Sequence, residues 1–252
     1  GGGWVWNGVS PNLKGAKDTT EPAMRAVKEA GIREAVCTMW QDDGAETPMG
    51  AGLSSIVRFA EHGFAKEVSE EALKEQFEFL TGTSWEACEI LGEFDRPQGS
   101  AFYDNPSKYL LYQDVLIGLF DEQIRNWDVK SYYEGLRDRL LKALEEGMKR
   151  NCTQKNCMQI LQRGGGYAEE VLSLYVCLAD ALSVKAPLGR KMHEAYEKKD
   201  RQALAALAEK EIPLAMEKIR VYRDRREALW NRESRIFGFE VLDIRIGGLL
   251  AR

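Results

Sequence analysis

The chain has 252 residues, 44% of them hydrophobic and 30% charged, enough apolar material for one large core or two smaller ones. Its net charge of −5 argues against a nucleic-acid or membrane-surface partner, since either demands a basic face. No apolar run nears the roughly 20 residues that cross a bilayer, and no basic start with an apolar stretch reads as a signal peptide.

Residues 1–64 read as short β-like runs between Gly- and Asp-rich loops. Trp4-Val5-Trp6-Asn7-Gly8-Val9-Ser10 is aromatic and β-branched and stops at Pro11, the pattern of a strand. Asp18 and Glu21 have capping-box spacing, and Pro22 suits a first helical turn. Met24, Val27 and Ala30 then share a face until Gly31 ends the helix. A second strand is expected around Ala35 to Met39. A loop from Gln41 to Gly52 follows, then a short amphipathic helix around Ile56, Val57 and Phe59. Strand, helix, strand, helix implies parallel strands with helical crossovers. Two such strands make no sheet alone, because both edges and both faces need cover.

From residue 65 onward the apolar period is 3.6. Helices are predicted near 69–80, 84–93, 106–127, 129–150, 153–162, 167–183, 187–198, 200–209 and 211–232, with short connectors that suggest a bundle. Residues 237–248 fit either a strand or a loop entering a last helix. The five cysteines are scattered and odd in number, which favours a reducing compartment, the cytoplasm, over a disulfide framework. Cys152 and Cys157 lack a common zinc spacing, and His62 and His193 are far apart. No structural metal and no cofactor is expected.

In parallel α/β folds, functional residues gather just past the C-terminal ends of strands. Those places are Trp6-Asn7-Gly8 and Trp40-Gln41-Asp42-Asp43-Gly44-Ala45-Glu46. An indole beside carboxylates suits a sugar: the ring packs on the C–H face of a pyranose, and the carboxylates accept from its hydroxyls. The alternative is a solvated acidic loop with Trp40 buried against the next helix.

Trp4-Val5-Trp6-Asn7-Gly8-Val9-Ser10-Pro11 resembles the W-x-W-x-G-x-x-P run late in the barrel of family 20 glycoside hydrolases, the exo-acting β-N-acetylhexosaminidases of the streptococcal and Paenibacillus kind. Thr38-Met39-Trp40-Gln41-Asp42-Asp43-Gly44-Ala45-Glu46 is similar to the T-x-W-x-D-[DN]-G-x-E run at that barrel's last strand. Residues Tyr109 to Asp121 and Gly238 to Leu249 resemble the helical part that follows. The resemblance implies a mainly α chain: the last two β/α units of a (β/α)8 TIM-type barrel at 1–64, then an α-helical domain at 65–252.

By that resemblance Trp40 forms a wall of the sugar pocket and Asp42 holds the O4 and O6 hydroxyls. Asp43 and Glu46 either contact the sugar or brace the loop. Trp6 either lines the pocket or packs in the barrel core, and Asn7 is a further substrate-binding candidate. The family's Tyr-x-Asp pair is replaced here by Trp4-Val5-Trp6-Asn7. The family uses the substrate's own acetamido oxygen as nucleophile, with an adjacent Asp-Glu pair to orient it and protonate the leaving oxygen. The only Asp-Glu dipeptide here is Asp121-Glu122, which reads as ordinary helix surface. The implied partners are an N-acetylhexosamine-terminated glycan and an N-terminal barrel half. Self-association through strand edges, giving a homo-oligomer, is another way to supply strands. The competing reading is a non-catalytic helical interaction scaffold.

Overall fold

The computed structural model describes residues 2–97, 104–153 and 166–252. The chain is mainly helical. The helices are α1 (Leu13–Glu29), α2 (Asp42–Ala45), α3 (Leu53–Phe64), α4 (Glu70–Thr81), α5 (Trp85–Glu89), α6 (Pro106–Tyr112), α7 (Val129–Thr153), α8 (Tyr167–Lys185), α9 (Leu188–Glu197), α10 (Arg201–Ala206), α11 (Ile212–Glu233) and α12 (Phe239–Leu250). The helix expected near 153–162 lies, beyond its first residue, outside the described residues. So does Cys157, while Cys37, Cys88 and Cys177 are free thiols.

Neither expected strand forms, and no barrel unit is visible among the described residues. Among the described residues one parallel bridge joins Gly2, ahead of the first segment, to Thr38 in the second, with the Gly3 N–H donating to the Thr38 carbonyl at 2.8 Å. Trp4 has a left-handed φ of +50°, which breaks any extended run through it. Residues 32–36 are exposed and irregular. Two parallel strands without further strands beside them do not make a stable sheet.

Two compact units can be recognised: Gly1–Glu93 with Arg139–Ser173, and Phe94–Asp138 with Leu174–Arg252. In the first, α1 starts earlier than the spacing of Asp18 and Glu21 suggests. The Asn12 side chain accepts from the Gly15 N–H at 2.9 Å and caps it, so Asp18 falls a turn inside and pairs with Lys14. Helices α1, α4 and α5 pack around α3. Leu73, Phe77, Trp85 and Cys88 form a core with Leu53 and Val57 beside it. Phe77 and Trp85 meet edge to face at 5.2 Å, and Arg58 lies over the Trp85 ring at 5.3 Å.

The second unit is built on aromatic contacts. Phe94 packs against Tyr175 at 5.2 Å and Tyr133 at 6.0 Å, and the Tyr133 hydroxyl donates to the Phe94 carbonyl at 3.3 Å. A separate cluster joins Leu188, Ala195, Leu207 and Ala215. The ambiguous tail is helix α12, held to α11 by Arg223 Nε donating to Asp243 Oδ1 at 2.8 Å and by Trp230 against Phe239 at 5.9 Å.

The helix expected over 106–127 stops at Tyr112 and continues as turns. Asp114 Oδ1 takes the Leu116 N–H at 2.9 Å, and Gly118 adopts φ +57°, so local polar bonds outcompete the helical ladder. Asp121-Glu122 is therefore not helix surface. Glu122 is exposed and paired with Arg125, whereas the Asp121 side chain is turned inward and 12% exposed.

Candidate functional site

The two loops singled out in the sequence come together. Thr47 Oγ1 donates to the Gly8 carbonyl at 2.6 Å, and Gln41 Nε2 donates to the Thr47 carbonyl at 3.1 Å. Thr47 is fully buried, so this bond forms where a missing partner costs about 1–3 kcal/mol. Gly52 allows the approach. A Cβ there would lie 2.6 Å from Met39 Cε and 2.8 Å from Val5 Cγ1, so the start of α3 sits against both segments only because that side chain is absent.

The candidate residues divide by exposure. Trp40 is 58% exposed, and Asp42, opening the short helix α2, is exposed too. Trp6 is half-buried with its ring 4.8 Å from that of Trp4, and Asn7 is half-buried beside it. Glu46 is buried at 3%; positive φ at Gly44 and Ala45 turns the chain just before it. Asp43 lies within α2, and its side chain is outside the described residues. Among the described residues, no three of His, Cys, Asp and Glu come together to hold a metal ion.

Sequence reasoning passed over Thr47 and Gln41, which fasten the loops. The only signal was a polar residue before Pro48 within a Gly-rich stretch, which names no partner.

Residues 88–252 match the model of the glycoside hydrolase 20C C-terminal domain. The chain belongs to that family. A search of curated proteins gave no match. The 20C C-terminal domain begins at Cys88 in α5 and takes in every described helix from α6 onward. Trp6, Asn7, Trp40, Asp42, Asp43 and Glu46 all precede it. The domain places the chain among glycoside hydrolases of family 20, and the roles of those six residues rest on their own geometry.

Proposed function

We propose that this chain is part of a glycoside hydrolase that removes terminal β-linked N-acetylglucosamine or N-acetylgalactosamine by substrate-assisted retaining hydrolysis. It supplies one wall of the sugar pocket and not the catalytic Asp-Glu pair. Residues 1–64 are then the last two β/α units of a barrel whose other strands complete the parallel pairing begun between Gly2 and Thr38.

The observation that carries the reading is the pairing of an open indole, Trp40, with an exposed carboxylate two residues on, in a loop pinned to the Trp6-Asn7-Gly8 turn. A pyranose stacks its C–H face on such a ring while the carboxylate takes its hydroxyl protons. Substrate-assisted hydrolysis still needs a group to protonate the leaving oxygen and one to steady the acetamido. Asp121-Glu122 offers neither, since Asp121 is occupied by His193 and Glu122 by Arg125.

The complete enzyme provides the test. Asp42→Ala removes a charged hydrogen-bond partner worth roughly 1.5–3 kcal/mol, so kcat/KM toward a chromogenic β-N-acetylglucosaminide falls roughly tenfold to a hundredfold. Trp40→Ala also lowers it, with the fold unchanged by circular dichroism, and the 252-residue chain alone gives no turnover. Wild-type kinetics in both variants would sink the pocket assignment and leave a solvated acidic turn.

A further inference from the structure

We propose that His193 is a pH-operated latch: its imidazolium fastens the loop between residues 113 and 121 to α9, and loss of the proton as pH rises releases that loop.

Both ring nitrogens of His193 face acceptors. Nε2 lies 3.0 Å from the Leu116 carbonyl oxygen, and Nδ1 lies 2.9 Å from Asp121 Oδ2. A carbonyl never donates, and an ionised carboxylate does not either. Neutral imidazole has one N–H, so one contact would set a lone pair against a lone pair. Only the doubly protonated ring satisfies both.

The middle of the loop leans on these bonds because its largest side chains are left uncovered. Leu116, Ile117 and Leu119 are 67%, 65% and 68% exposed. Val115 packs against the Leu188 cluster and the Phe120 ring lies 5.0 Å from Tyr109; polar anchors add to these, with Gln113 Nε2 donating to Asp121 Oδ1 at 3.3 Å, Gln113 Oε1 accepting from the Phe120 N–H at 3.0 Å, and Asp114 Oδ2 paired with Arg252 at 2.7 Å. Gly118 has no side chain where His193 Cε1 and the Asp121 carboxylate close on it. Protons reach the latch, since the His193 side chain is 42% exposed.

The charges around the ring favour the closed form. Asp121 faces it from the loop, where Asp114 takes the Leu116 N–H and pairs with Arg252. Glu197, Glu194 and Arg190 share its helix, and Lys185 from α8 reaches the carbonyls of Gln113 and Leu110. The Leu116 carbonyl, then Asp121, holds the His193 proton above its ordinary affinity despite partial desolvation. A group whose folded pKa is raised contributes its stabilisation in full below the unfolded pKa, about 6.5. That contribution is lost as pH climbs to the raised value.

Histidine NMR with amide exchange on the full chain tests this. The only histidines are His62 and His193, and His62 is pushed the other way by burial and by Lys28, so the two titrations separate. We expect a His193 midpoint above 6.5. Opening of residues 114–121, corrected for intrinsic exchange, stays flat below about pH 6.5, rises up to about tenfold per unit, then levels above the midpoint. Asp121→Asn shifts the midpoint down and shrinks the rise, and His193→Gln abolishes it. A wild-type midpoint at or below 6.5, or opening that ignores the His193 titration, overturns the latch whether or not the variants fold.

Discussion

Arg58 shows how one residue organises its surroundings. Its guanidinium is almost fully buried, yet it donates to Glu21 at 2.9 Å and to Glu70 at 2.8 and 3.2 Å, which a planar fork does and an ammonium does not. Hydrogen bonding from Arg58 lowers the Glu70 carboxyl to about 2, with Lys17 assisting. A depressed carboxylate contributes stability above its unfolded pKa, near 4.5, and loses it as pH falls to about 2. Glu70→Gln removes that contribution. The gap in urea midpoint between wild type and variant should therefore be widest near neutrality and close between pH 4.5 and 2; a constant gap would show that Glu70 is not coupled to Arg58. The Glu70 side chain is 46% exposed, so the effect is small and salt-sensitive. None of this was legible in the sequence, where residues 58 and 70 belong to separate helical patterns. Residue fates at the site were equally hidden. Trp40 and Glu46 lie in one acidic loop, but the first is open and the second enclosed, because backbone turns at Gly44 and Ala45 intervene.

At the scale of elements, helices were legible and strands were not. Most predicted helices appear within a few residues of their place, because a 3.6-residue apolar stripe is a local signal that packing only has to accept. Residues 4–10 and 35–39 carry strand composition, but a strand exists only through partners elsewhere, and among the described residues a single bridge forms, from Gly2 to Thr38. The failure over 113–127 has another origin: Asp114, Gly118 and Gln113 close local bonds that end α6 early. The C-terminal end of that helix is held by Lys185, whose buried amine donates to Gln113 O at 2.8 Å and Leu110 O at 3.4 Å. The arrangement satisfies carbonyls that a helix end leaves open. Burial lowers the Lys185 amine to about 8 from 10.5. Between those values the unfolded chain binds more protons than the folded one, so stability rises with pH. Lys185→Met loses the two bonds, worth about 1 kcal/mol each, and also sheds the buried charge. The variant should be nearly neutral at pH 7 and clearly destabilised, by roughly 2 kcal/mol, at pH 9.5. Equal urea midpoints for the two proteins at both pH values would refute the buried, charge-penalised amine.

For the whole molecule, the contrast between self-contained helices and partner-seeking strands becomes a difference in local stability. Helix stability in proteins comes mainly from burying an amphipathic face, and α8 shows it: Leu172, Leu174, Tyr175, Leu178, Ala179, Ala181 and Leu182 are all buried. In α11, Ala215, Ile219, Tyr222, Leu229 and Trp230 are buried in the same way. Backbone amides there open only with the packing around them. Residues 32–36 are exposed and outside any helix. Exposed backbone with few buried contacts opens at almost no cost. Amide exchange on the full chain should therefore place α8 and α11 near the global stability, with residues 33–35 close to the intrinsic rate in dilute solution. Raising the protein concentration distinguishes a bare edge from a merely mobile loop. If 32–40 is a strand lacking neighbours, its edge can pair with another copy, and protection there should grow with concentration while the helices stay unchanged. Strong, concentration-independent protection at residues 33–35 would mean the segment already has its partners, and the interpretation of residues 1–64 as the end of a barrel would fail.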